Sequence, residues 1–160
     1  MLQARRIFVS MGIKEDIKQN KAFRNDYQKV GVNILFTYNW LTEKLKQLVE
    51  PYDITMQQYN VLRILRGSHP EPLSTQEIRI RMIDKMSDVS RIVDRMIAKE
   101  LVSKGLCPAD KRLVDVQITQ KGISLLNKLK QLELSMDNQL SALSAEEAAQ
   151  LSLLLDKLRS

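Results

Sequence analysis

The sequence predicts a mainly α-helical protein that carries one small β-hairpin. Three observations lead there. Apolar residues recur at helical spacing along most of the chain. Thr55 with Gln58, and Ser74 with Glu77, form the capping-box spacing, a hydroxyl followed three residues later by Gln or Glu, that opens helices. One short stretch, Val114, Val116 and Ile118 separated by Asp115 and Gln117, alternates with a period of two. With 160 residues and 44% hydrophobic content, the chain can bury one real core, so a single domain over 1–160 is expected.

Over residues 30–50, Ile34, Tyr38, Leu41, Leu45 and Leu48 fall on one stripe of a long helix that stops before Pro51. A second helix starts at the Thr55 box, with Ile54 and Tyr59 placed to staple it, and runs to Gly67. The segment GSHPEP is a turn. A short helix over about 75–82 follows from the Ser74 box, stapled by Leu73 and Ile78. After a break at Ile83-Asp84-Lys85, a fourth helix begins near Ser87. Its Val89, Ile92, Val93, Met96 and Ile97 make a single buried face. Ser87, Asp88, Ser90, Arg91, Asp94, Arg95 and Lys99 are left on the other side.

Two short helices of this kind describe a helix-turn-helix. Early exposed residues of its second helix reach base edges in the major groove, where arginine pairs with guanine. Surface ion pairs of Arg91 and Arg95 with Asp84, Asp88 or Asp94 are the alternative use of the same face. Residues 101–106 supply an antiparallel partner for 114–118, joined through Pro108, Ala109, Asp110, Lys111 and Arg112. A hairpin directly after a helix-turn-helix is a wing. Lys111 and Arg112 at its tip suit phosphates or a minor groove, and Asp110 is placed to orient Arg112. An ordinary exposed hairpin with solvated charges is the competing reading.

Charge is distributed in the same sense. The formal net charge is +6, and residues 74–121 carry ten Lys/Arg against seven acids, while 30–73 balance four against four. Residues 1–29 add seven against three. The solitary Cys107 excludes an intrachain disulfide and fits a reducing cytoplasm, and no apolar run is long enough to span a membrane. With one His, one Cys, no glycine-rich phosphate loop and no Cys/His cluster, an enzyme is not expected, nor a catalytic residue, metal or cofactor. His69 in the Pro-flanked turn is expected in solvent.

At the C-terminal end, Leu125, Leu129, Leu132 and Met136 continue a helical stripe. Leu151, Leu154, Leu155 and Leu158 form another in a helix opening at Ser144. Twelve leucines between 125 and 160 need a further apolar surface. Packing onto the helix over 30–50 and packing onto a second copy of the chain are both expected to use them.

The run LSTQEIRIRMIDKMSDVSRIVDRMIAKELVSKG followed by DKRLVDVQITQKG resembles the winged helix-turn-helix core of MarR-family (multiple antibiotic resistance regulator) transcription factors. Asp110 and Arg112 match the family's Asp-x-Arg wing, Thr119 and Gly122 its Thr-x-x-Gly. The resemblance covers roughly residues 30–160, with 54–119 as the DNA-binding lobe and 30–50 and 120–160 as dimerisation helices. It implies a homodimer that binds double-stranded DNA at a pseudo-palindromic operator and represses transcription until a small, aromatic molecule or an oxidant releases it. It places Ser87, Asp88, Ser90 and Arg91 in the major groove with Lys85 and Arg95 beside them, Arg112 at the wing, and Ser74, Thr75 and Gln76 on phosphates. It also implies an effector cleft, for which Phe36, Tyr38, Trp40 and Tyr59 are the candidate aromatics. Gly105-Leu106-Cys107 departs from the charge usual in the first wing strand. A winged-helix adaptor that no longer binds DNA specifically is the alternative.

Overall fold

The structure, a computed structural model, describes residues 12–106 and 114–160, with the backbone alone at 106, 114 and 131–133. The chain divides into two compact units, 1–44 and 45–160. The first holds a four-residue helix α1 (Ile13–Asp16) and most of α2 (Asp26–Val49). Asn25 opens α2: its Oδ1 accepts the Gln28 N–H at 2.9 Å, while Gln28 Oε1 accepts the Arg24 N–H at 2.7 Å. Those two bonds start the helix four residues ahead of the position the apolar stripe suggests. Within this unit α2 stays largely uncovered: Leu35, Phe36, Tyr38 and Trp40 are all exposed.

In the second unit, a turn of 3-10 helix (Glu50–Tyr52) with Pro51 inside it ends the run of α2. Asp53 then takes a left-handed backbone (φ 54°), and α3 (Met56–Ser68) begins behind the Thr55 capping box. Gln58 donates its N–H to Thr55 Oγ1 at 3.2 Å and returns Oε1 to the Thr55 N–H at 3.0 Å. This reciprocity lets Gln58 be buried without an unmet polar group. Two residues, β1 (Leu73–Ser74), precede α4 (Thr75–Arg81), and α5 (Val89–Ala98) follows a short turn. Strands β2 (Val102–Leu106) and β3 (Val114–Ile118) come next, then α6 (Gln120–Lys128), α7 (Lys130–Leu140) and α8 (Ala145–Leu158).

The sheet is antiparallel with order β1-β3-β2, so the expected hairpin gains a third strand. Leu73 faces Val116 on one side of β3; on the other, Val102 faces Ile118 and Leu106 faces Val114. β3 is therefore central, with Val116 and Ile118 buried, whereas β2 is an edge whose Ser103, Lys104 and Gly105 are exposed. Edge position explains why 101–106 alternates less cleanly than 114–118.

One core lies under α3, α4, α5, the sheet and α6. Val61, Leu62, Leu65, Ile78, Met82, Val93, Met96 and Val116 are essentially closed to solvent. Each such side chain contributes roughly 1.5–3 kcal/mol relative to exposure. Leu129 belongs to this core too, at 1% exposure, and Leu125 packs half-buried against it. That corrects the assignment of Leu129 to a subunit interface, since a side chain already closed off has no surface left to share. The helical stripe is interrupted there, and α7 starts afresh at Lys130.

Gly122 is required by close approach. A Cβ on it would stand 2.3 Å from the Leu101 carbonyl oxygen and 2.8 Å from Ile118 Cγ1. Gly31 in α2 has nothing within 4 Å. Gly122→Ala should therefore lower stability by about 1–3 kcal/mol through overpacking, whereas Gly31→Ala should raise it by roughly 0.5–1 kcal/mol. Urea unfolding of both variants checks the opposite signs.

Candidate nucleic-acid interface

The face that sequence reasoning singled out is built by α4, the turn 82–88 and α5. Hydrophobic burial of Val89, Val93 and Met96 fixes which side of α5 points inward. Ser90, Arg91, Asp94 and Arg95 then stand exposed on the other side. Arg91 and Arg95 are one helical turn apart, and among the described residues neither forms an ion pair. Asp94 instead holds Lys104 on β2, which ties the helix to the base of the wing. The alternative of internal neutralisation thus leaves both guanidinium groups available.

Other polar residues nominated for this face are already engaged. The Ser74 hydroxyl caps α4, accepting the Glu77 N–H at 3.2 Å and donating to Glu77 Oε2 at 2.8 Å. Asp88 is the N-cap of α5, its Oδ1 accepting the Arg91 N–H at 3.2 Å. Ser87 Oγ donates to Asp84 Oδ2 at 2.8 Å, and Lys85 donates to the Ile80 carbonyl at the C-terminal end of α4, where a cation is favoured. Of that set, Gln76, Ser90, Arg91 and Arg95 keep exposed heads, with Thr75 half-exposed at the first turn of α4.

Two residues that pattern reasoning passed over hold the turn. Asn60 on α3 accepts the Ile83 N–H at 3.0 Å through its Oδ1. Asp84 accepts the Met86 N–H at 3.0 Å and the Ser87 hydroxyl. The Asx spacing at Asp84-x-Met86 was the available signal; nothing local marks Asn60, whose partner lies 23 residues on.

Leu106 opposite Val114 closes the described hairpin ladder. Cys107, Asp110, Lys111 and Arg112, the wing tip of the sequence reading, lie outside the described residues. So does the side chain of Leu132. Tyr59, a candidate effector contact, is a core residue at 6% exposure whose hydroxyl accepts from Arg63 at 3.1 Å. A cavity of about 350 Å³ in the second unit is lined by Tyr52, Asp53, Lys99, Lys121, Ser124 and Lys128 among others, without Tyr59. His69 is exposed.

A helix, a hydrogen-bonded turn, a second helix with an exposed arginine face and an antiparallel hairpin at its end define a winged helix-turn-helix. A family model described as the MarR family matches residues 54–114. Among related proteins, the HTH-type transcriptional regulator MhqR of Bacillus subtilis (strain 168) is 27% identical over 120 residues, 74% of this chain and 81% of its own length. The HTH-type transcriptional repressor IacR of Pseudomonas putida is 28% identical over 104 residues, 61% of each chain. A mutant MarR from E. coli, solved in complex with operator DNA, superposes with a TM-score of 0.76 at 26% identity, covering 86% of this chain and 99% of that one. Residues 54–114 thus match the MarR family, and the fold around them is that of a MarR structure. Among the described residues, no helix is long and apolar enough to cross a membrane.

Hydrogen bonds from the Ser74 backbone and hydroxyl hold the Glu77 carboxyl below its usual 4.5, outweighing desolvation, with a lesser attraction from Arg81. A carboxyl whose pKa is depressed by folding stabilises the fold above its unfolded pKa and loses that contribution as pH falls. Glu77→Gln keeps an N3 acceptor but does not titrate. Wild-type stability should therefore drop relative to E77Q as pH is lowered through and below 4.5, measured as the difference in urea midpoints across that range.

Proposed function

We propose that this chain is a sequence-specific DNA-binding transcriptional regulator, acting as a homodimeric repressor on an inverted-repeat operator, with no catalytic step of its own. The observation that carries the reading is the exposed pair Arg91 and Arg95 on α5, free of ion pairs among the described residues and backed by a closed apolar face. Uncompensated guanidinium groups at that end of a helix-turn-helix suit guanine edges and phosphates. The operator complex of the E. coli relative supports the DNA partner, and the repressor name of IacR supports the direction of control. Lys111 and Arg112 would add phosphate or minor-groove contacts from the wing, with Asp110 orienting Arg112.

The dimer reading rests on surface that the chain leaves open. Leu134, Leu140, Leu143, Leu151, Leu154 and Leu158 are exposed, with Leu155 half-buried, and none of the described residues of α7 or α8 is buried. A second copy is the cover we assign, which would put two α5 helices on one duplex at half-sites about one turn apart. For an effector, the cavity beside Lys121 and Lys128 is a better fit than the four candidate aromatics, and its chemistry suits a small anion with an apolar body against Leu101 and Leu125.

Selection from random duplexes with the purified protein should return inverted repeats, bound with an affinity that falls steeply as salt rises. Arg91→Ala should shrink the preference for operator over random DNA by about 1–3 kcal/mol. Binding indifferent to sequence, or the absence of binding, would leave the adaptor reading in its place. Leu151→Asp combined with Leu154→Asp should convert the dimer to monomer in sedimentation; an unaltered dimer would move the interface elsewhere.

A further inference from the structure

We propose that Met86 is a specificity-determining residue that reads the C5-methyl group of a thymine in each half-site, an inference that rests on the DNA-binding function above. Met86 lies in the turn two residues ahead of Asp88, the cap of α5, and is 92% exposed. Its backbone is nonetheless fixed. The Met86 N–H donates to Asp84 Oδ1 at 3.0 Å, the Ser87 N–H to the Asp84 carbonyl at 3.3 Å, and the Ile83 N–H to Asn60 Oδ1 at 3.0 Å. The turn therefore holds the methionine out in solvent by ordered geometry rather than by lack of structure.

Each polar side chain of this turn makes an internal hydrogen bond. Asp84 accepts from Met86 and Ser87, Lys85 donates to the Ile80 carbonyl, Ser87 donates to Asp84, and Asp88 caps α5. The side chains between 83 and 88 that make no such bond are apolar: Met86 and Ile83, the latter 86% exposed. The surroundings select the kind of partner. Arg91 and Arg95 follow on α5 without ion pairs among the described residues, and residues 74–121 carry ten cations against seven acids. A purely apolar partner would have to strip water from those guanidinium groups without replacing it. A duplex offers phosphates to the arginines, and in its major groove the thymine methyl is the apolar feature that distinguishes one base pair from another. An unbranched thioether side chain adapts to such a target at small steric cost.

The test uses the full-length protein and the operator recovered by selection, with single thymines replaced by deoxyuridine so that one methyl is removed and every hydrogen bond is kept. At one thymine of each half-site the replacement should weaken wild-type binding roughly threefold to tenfold. Met86→Ala should weaken binding to the thymine operator by a similar factor, should be insensitive to deoxyuridine there, and should lose thymine at that position when selection is repeated. Its thermal midpoint should match the wild type, because so exposed a side chain supports no packing. The proposal is overturned, with the DNA-binding function intact, if wild type binds its operator specifically yet tolerates deoxyuridine everywhere, or if the two losses multiply independently. It is also overturned if Met86→Ala changes the oligomeric state in sedimentation, which would make the patch a contact between copies. Failure of wild type to select any sequence would remove the function on which it stands.

Discussion

Leu101 is the point where α5 ends, the wing begins and the helix after the wing is seated. The Leu101 N–H closes the end of α5 by bonding to the Met96 carbonyl at 3.0 Å, with Glu100 in a left-handed conformation (φ 59°) and its own N–H on Ile97. The Leu101 oxygen then receives the Thr119 N–H at 3.1 Å, and the first turn of α6 lies so close above it that only glycine fits at 122. Thr119 adds a hydroxyl bond to the Glu100 carbonyl at 2.7 Å, and Lys121 pairs with the Glu100 carboxylate at 2.8 Å. Three successive elements thus share one anchor. The direction of α5, the base of the hairpin and the departure of α6 are set together rather than separately.

A second regularity is the economy of polar groups around α4 and α5. Helix ends and turns need partners for their unpaired backbone groups, and here Ser74, Glu77, Asp84, Lys85 and Asp88 supply them. Having served the fold, they are less available to a ligand. Left over on the turn and α5 are the guanidinium groups of Arg91 and Arg95, the Ser90 hydroxyl and the exposed side chains of Ile83 and Met86. Recognition built from so few groups depends on their being held rigidly, which is what the hydrogen-bonded turn and the Asp94 to Lys104 link provide.

Much of this architecture was legible in the sequence because its signals are local. The boxes at Thr55 and Ser74 open α3 and α4 where expected, and Thr119 opens α6 by accepting the Gly122 N–H. The apolar face of α5 follows directly from its spacing. What escaped has physical reasons. A two-residue strand such as β1 has no periodicity to read. The start of α2 lay outside its apolar stripe, at a cap formed by Asn25 and Gln28. The sequence shows that Ser74, Lys85 and Asp88 are polar but not that each already bonds within the fold. It likewise shows leucines on a stripe without revealing that Leu129 turns into its own core while Leu154 remains in solvent.

The bareness of α7 and α8 has a consequence for the life of the molecule. Helices of 11 and 14 residues are marginal in water on their own hydrogen bonds, and here none of the described residues of either is buried. Until another apolar surface arrives, such segments fray and offer themselves to degradation. Under the dimeric reading, scarce newly made chains would be cleared faster than abundant ones. The quantity of intact protein would then respond to its own synthesis more sharply than in proportion, a threshold written into two uncovered helices.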